Sequence, residues 1–272
     1  MSAPVDQWWR RDKLEEHRYV LRPRFFVLPS LPAKLGLTRW MKYPILLPIQ
    51  GQHPRQTKRC GDFWSLRGGP LRPLARWVSD GHPPLVFVHG LGGSRGDFVP
   101  MSWYLWLAGR RRTYRIRFAA DQSVDEMAKA LARFVRKVRK VTGQSQVDIV
   151  AHSLGGVVAR VAVTRNRLGT AVRTLVTLGS PHRGTWSARF ASTTKTRDLR
   201  PDSPGVLAIN ARPWPRHIRV VNVWSRNDLV ILPHESAWTD GAQVIDASPF
   251  THYSYLLDPA GWELVKNALA DS

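Results

Sequence analysis

Ser153 stands in the run Ala151-His152-Ser153-Leu154-Gly155-Gly156, directly after the apolar stretch Val147–Ala151 and directly before a helical pattern. A serine between a buried strand and a helix, with small residues two positions to either side, fits a turn too tight for bulky neighbours. Glycine is usual at both small positions, and Ala151 is the next smallest choice. Such a turn holds the hydroxyl at the strand end and aims the opening N–H groups of the helix at the same point. The chemistry this suits is nucleophilic attack on an acyl carbon. A serine alkoxide does not exist at neutral pH, so a base is required. Of the histidines, only His182, His217, His234 and His252 follow Ser153. His252 lies in the loop Ser248 to Tyr253, after a strand pattern and before the last helix, where an imidazole can reach across a sheet edge. An acid between the two is expected in the order serine, acid, histidine. Asp228, in Ser225-Arg226-Asn227-Asp228-Leu229-Val230, follows a strand pattern and can hold the imidazole tautomer. Asp198, Asp202, Asp240 and Asp246 are rivals with worse placement. His182, in Gly179-Ser180-Pro181-His182-Arg183-Gly184-Thr185, follows its strand too early to be the base and reads as a loop residue near the site. An oxyanion needs two donors. The Leu154 N–H is one, and the Leu91 N–H, in His89-Gly90-Leu91-Gly92-Gly93, is the expected second. Glycines there let the backbone approach a substrate and adopt positive φ.

These residues need a scaffold, and the chain from Pro84 onward supplies a regular one. Leu85–His89, Val147–Ala151 and Val172–Leu178 are continuous apolar runs, the form of strands buried on both faces. Thr113–Phe118 alternates and is β-rich, and Ile218–Trp224 and Ala242–Asp246 complete the strand set. Helices are expected over Asp97–Ala108, Ser123–Val141, Leu154–Asn166 and Gly261–Ala270. Ser123 followed by Glu126 is a capping box. Met127, Leu131, Phe134, Val135, Val138 and Val141 recur at helical spacing, with Lys and Arg filling the remaining surface. Strands alternating with helices predict an α/β three-layer sandwich on a mostly parallel sheet with right-handed crossovers. The polar stretch 185–217 between two core strands is the natural site for a lid, with Trp186, Phe190, Val206, Leu207 and Trp214 as its apolar face.

Taken in order, His89–Gly93, Ala151–Gly156, Gly179–Thr185, Asn227–Val230 and Thr251-His252 resemble the motifs of the lipase-like branch of the α/β-hydrolase superfamily. That branch includes bacterial triacylglycerol lipases and esterases and inositol-deacylase-like proteins. Asp198-Leu199, Ser203, Leu207 and Asn210 are similar to a further segment of those enzymes. The likeness runs from about Leu85 to the C-terminus and does not reach the first 80 residues. It implies an ester hydrolase with Ser153, Asp228 and His252 as its triad and no organic cofactor. Some relatives hold a structural calcium ion, and no acidic cluster in this sequence requires one. Acyl transfer on the same triad, or a hydrolase fold kept for binding, are the alternative activities.

Composition sets the outer bounds. In 272 residues, 41 Lys and Arg against 20 Asp and Glu give a net charge of +21, while 43% of the chain is hydrophobic, enough for a sizeable core. The single cysteine, Cys60, excludes an internal disulfide and a cysteine-rich zinc site. No run approaches the 18 apolar residues of a membrane span, and Met1–Arg24 lacks the apolar core of a signal peptide. A cytoplasmic location is expected. The charge predicts attraction to an anionic partner. No helix-turn-helix, zinc or RNA-recognition pattern accompanies it, so nucleic acid is not the expected partner. The domain reading is a basic, Trp- and Pro-rich arm over 1–80 and a catalytic domain over 81–272. Within the arm, Lys34–Gln50 could lie on a membrane surface with Trp40 and Tyr43 at headgroup level, or the arm could pack across the catalytic domain.

Overall fold

A computed structural model describes residues 80–119, 121–190 and 193–270, together with the backbone of Tyr19–Val20. Apart from Tyr19–Val20 and Asp80, the N-terminal arm, including Lys34–Gln50, lies outside these residues.

The strands are β1 (Tyr19–Val20), β2 (Leu85–Val88), β3 (Thr113–Arg115), β4 (Val147–His152), β5 (Val172–Leu178), β6 (Arg219–Trp224) and β7 (Gln243–Asp246). They form one sheet in the order β1-β7-β6-β5-β4-β2-β3, with every neighbouring pair parallel. The helices are α1 (Val99–Leu107), α2 (Val124–Thr142), α3 (Leu154–Arg165), α4 (Thr194–Asp198), α5 (Pro204–Asn210), α6 (Ser254–Leu257) and α7 (Pro259–Ala270). Alternate residues of each strand point to opposite faces. Val86, Val88, Ile149 and Leu175 pack on one side with the apolar stripes of α2 and α3. Leu85, Phe87, Val150 and Val176 pack on the other with α1, α6 and α7. The result is the three-layer α/β sandwich, and it explains why the strands carry unbroken apolar runs: both of their faces are covered.

The elements follow local chemistry. The Ser123 hydroxyl accepts from the Glu126 N–H at 3.3 Å, and the Glu126 carboxylate accepts from the Ser123 N–H at 2.8 Å. Gly143, at φ +69, closes the same helix in the left-handed region. The segment expected to be helical from Asp97 begins as a 3-10 turn over Arg95–Phe98, because a Ser94–Asp97 capping box starts it early. The expected strand Thr113–Phe118 is shorter than its pattern and ends at Arg115, with the Ile116 N–H making a last bond to the Phe87 carbonyl at 3.2 Å.

One buried charge cluster braces the amino end of the sheet. Asp148, fully buried in β4, accepts from Arg110 at 2.7 Å and from two nitrogens of Arg173 at 3.0 and 2.7 Å. Paired on two sides, the carboxylate avoids the penalty of an isolated buried charge.

The stretch 185–217 carries a 3-10 turn at Trp186–Phe190 and the short helices α4 and α5. Val206 and Trp214 are buried, whereas Trp186, Phe190 and Leu207 are exposed. The hydroxyls of Thr185 and Ser187 donate to the Val230 carbonyl at 2.8 and 2.6 Å, fastening this stretch to the loop after β6.

Candidate active site

All the strands run the same way, so their carboxyl ends share one edge. The loops that leave β2, β4, β6 and β7 meet there. Ser153 links β4 to α3 with φ 55 and ψ −128, a conformation sparsely populated for any residue with a side chain. Two features hold it. Its N–H donates to the Leu178 carbonyl at 2.9 Å, and its carbonyl accepts from the Gly156 N–H at 3.0 Å. The small residues around it are required by space. A Cβ on Gly155 would strike the Val88 carbonyl oxygen, one on Gly156 would strike the Ser180 hydroxyl, and one on Gly90 would stand 2.8 Å from Cβ of Ser153.

His252 and Asp228 come from separate loops and meet in a hydrogen bond. His252 Nδ1 lies 2.8 Å from Asp228 Oδ2, and both side chains are buried. The other carboxylate oxygen, Oδ1, accepts from the N–H groups of Val230 and Ile231 at 2.9 and 3.1 Å. Each oxygen of Asp228 thus has a donor, as a buried carboxylate demands. With Nδ1 donating to the carboxylate, Nε2 is the basic nitrogen of a neutral ring. Gly179, at φ +50, passes close to this pair. A Cβ there would lie 2.7 Å from Asp228 Oδ2 and 3.4 Å from His252 Nδ1.

Ser153 and His252 open onto the same cavity, of about 360 Å³, whose wall also includes Leu91, Asp97, Tyr253 and Leu257. None of its lining residues comes from 185–217. Leu91 belongs to a turn closed by Gly93 N–H on the Gly90 carbonyl at 3.2 Å, with Gly92 at φ +68. The Leu91 N–H is not used by that bond. Leu154 opens α3, and the first N–H groups of a helix have no carbonyl within it to bond. The wall of the cavity is partly apolar and open: Leu91, Tyr253 and Leu257, which line it, are exposed.

The rival carboxylates are engaged elsewhere. Asp246 accepts from Ser248 and Arg226, Asp240 pairs with Arg183, and Asp202 pairs with Arg189. Asp198 lines a second, smaller cavity with Ser123 and Arg165. His182 is not at the edge of the 360 Å³ cavity. It is fully buried, edge-on to Trp214 and bonded through Nε2 to Thr177 Oγ1 at 3.2 Å. Burial, together with the guanidinium groups of Arg160 and Arg183, holds its imidazole well below the ordinary histidine range. Sequence reasoning gave no role to His152, although its side chain lies at the centre of the site. The only signal was its position beside Ser153. Among the described residues, no group of three His, Cys, Asp or Glu side chains is arranged to hold a metal ion. None of their helices is long and apolar enough to cross a membrane.

Residues 84–208 match the family model of palmitoyl protein thioesterase. Triacylglycerol lipases of Pseudarthrobacter phenanthrenivorans and Burkholderia plantarii are each 26% identical to this chain over 134 residues, covering 46% of it and 41% and 37% of themselves. The chain therefore spans about two fifths of the length of these curated relatives. Among solved structures, the mature lipase BlEst2 of Bacillus licheniformis superposes with a TM-score of 0.64 at 18% identity, over 71% of this chain and 94% of that one. Lipase B of Aspergillus fumigatus gives 0.61 at 16% identity, over 71% and 53%. At such identities the structural likeness speaks for the fold.

Proposed function

We propose that this chain, a lipase-like α/β-hydrolase, cleaves carboxylic esters of hydrophobic acyl groups through an acyl-enzyme on Ser153. The observation that carries the proposal is the His252–Asp228 hydrogen bond, at 2.8 Å, beside a cavity shared by His252 and the strained Ser153. Ser153 Oγ attacks the ester carbonyl carbon while His252 Nε2 takes its proton. Asp228 keeps the proton on Nδ1 and stabilises the imidazolium. The N–H groups of Leu91 and Leu154 receive the oxyanion. Collapse of the tetrahedral species breaks the ester C–O bond, and His252 returns the proton to the departing alcohol. Water, deprotonated by His252, then attacks the acyl-enzyme and releases the acid and the Ser153 hydroxyl.

The exposed Leu91, Tyr253 and Leu257 favour an acyl chain over a polar acid, because contact with them removes apolar surface from water. A second substrate class, acyl thioesters, is favoured by the match to the palmitoyl protein thioesterase family. It requires no new group, since only the leaving atom changes from oxygen to sulfur.

The experiment is hydrolysis of p-nitrophenyl esters from acetyl to palmitoyl, with an acyl thioester in parallel, for the wild type and Ser153→Ala. The wild type is expected to turn over, and the variant to lose at least about 10³-fold in kcat. The ratio of ester to thioester rates separates the two substrate classes. Turnover unchanged in Ser153→Ala would overturn the assignment.

A further inference from the structure

His152 ends β4 one residue before Ser153, and the reaction above does not use it. Its side chain is buried, with Nε2 2.8 Å from the backbone oxygen of His252. A carbonyl oxygen only accepts, so Nε2 carries the proton and donates it. The opposite nitrogen faces the loop after β2: a Cβ on Gly90 would lie 3.4 Å from His152 Nδ1. The rings of His152 and His252 are tilted together with centroids 4.6 Å apart. One imidazole therefore borders the serine's strand, the backbone of the histidine and the glycine turn.

Asp228 fixes only the far end of His252, its ring. The ring hangs from a loop backbone, and a side chain is aimed no better than the backbone that bears it. The hydrogen bond from His152 supplies a second anchor, on the backbone itself. The neighbour must also stay uncharged, because a proton arrives on His252 in each half-reaction and a second cation 4.6 Å away would oppose it. Burial, reinforced by the nearby His252, pushes the His152 imidazole down to about 4, so it remains neutral at neutral pH.

We infer that His152 is a positioning residue for His252, its Nε2–H holding the His252 carbonyl so that the imidazole meets the Ser153 hydroxyl. This rests on the reading of Ser153 and His252 as nucleophile and base. The test compares His152→Leu, His152→Gln and His152→Asn in the full chain, with Ser153→Ala as control. The Gln amide nitrogen reaches the position of Nε2 and can donate to the carbonyl, whereas the Asn nitrogen stops near Nδ1 and the Leu side chain donates nothing.

The readouts are kcat and KM on a p-nitrophenyl ester, melting temperature, and the downfield proton resonance of the His252 Nδ1–H held by Asp228. His152→Leu is expected to lower kcat by up to about 10²-fold, the cost of a small misplacement of a catalytic group. KM should stay within about twofold of wild type, and the resonance should shift or broaden. His152→Asn should behave like His152→Leu, and His152→Gln should recover most of the rate and the resonance. If His152→Leu fails to fold, the Gln and Asn pair decides. Wild-type kcat and resonance in a folded His152→Leu or His152→Asn would overturn the inference. Equal losses in Gln and Asn that track melting temperature would do the same. Activity surviving in Ser153→Ala would instead strike the underlying reading of the nucleophile.

Discussion

At the scale of single residues, Asp228 is the group whose chemistry is most tightly specified. Oδ2 takes the imidazole proton donor, and Oδ1 takes two backbone N–H groups. Asp228→Asn preserves shape but replaces one acceptor with an NH₂ group. The two backbone donors keep the remaining oxygen, so the amide nitrogen faces His252 and forces Nδ1 to accept. Nε2 then carries the proton and cannot take one from Ser153. The expected result is a fall in kcat on the order of 10³- to 10⁴-fold near neutral pH, with an unchanged circular dichroism spectrum. A variant within tenfold of wild type would mean that the carboxylate is not what orients the base.

The elements act by bringing backbones close enough that the side chains between them have no choice of size. β2, β4 and the start of α3 converge at Ser153, and Gly155 touches the carbonyl of Val88. Gly155→Ala drives a methyl group into backbone atoms that cannot rotate away. The expected cost is about 1–3 kcal/mol in urea denaturation, with a loss of activity from the displaced turn. Gly205, in α5, is the contrast. Its nearest neighbour to an added Cβ is 3.9 Å away and its φ is ordinary, so Gly205→Ala should be neutral or stabilising by up to about 1 kcal/mol. Opposite signs for the same chemical change would separate close packing from helix propensity. Equal signs would show that the contact with Val88 relaxes.

The molecule as a whole buries histidines in a strongly basic chain. His89, His152 and His182 are all held below the ordinary histidine value by burial. A histidine depressed in the folded state costs nothing above its unfolded value near 6.5, where both states are neutral. As pH falls below that value, the unfolded chain takes up the proton and the folded chain does not. Stability is therefore lost from about 6.5 down to the folded value of about 4 for His152, amounting to about 3 kcal/mol from this residue. Urea denaturation between pH 7 and 4.5 should show stability falling with acidification, and falling less steeply in His152→Gln. Identical slopes in the two proteins would remove His152 from the account.

Much of this was written in local sequence. The apolar runs of β2, β4 and β5 and the Ser123–Glu126 capping box depend on neighbours a few residues away, and their spacing alone specifies them. The Ser153 turn was legible for the same reason: small residues two positions to either side have few other uses. Asp228 and His252 were legible as candidates because they follow strand patterns in a fixed order, but their contact joins positions 24 residues apart and exists only once β6 and β7 lie side by side. His182 had the motif but not the location, since Trp214 and Thr177 enclose it away from the cavity. The contact from His152 to the His252 carbonyl spans 100 residues. No periodicity or spacing encodes it, because a backbone carbonyl has no residue type. Local spacing specified the strands β2 and β4 to β7, the helices α1, α2, α3 and α7, and the turn that bears the serine, but not the short helices α4, α5 and α6. The tertiary structure alone decided which buried imidazole meets which oxygen, because that depends on distances across the sheet edge.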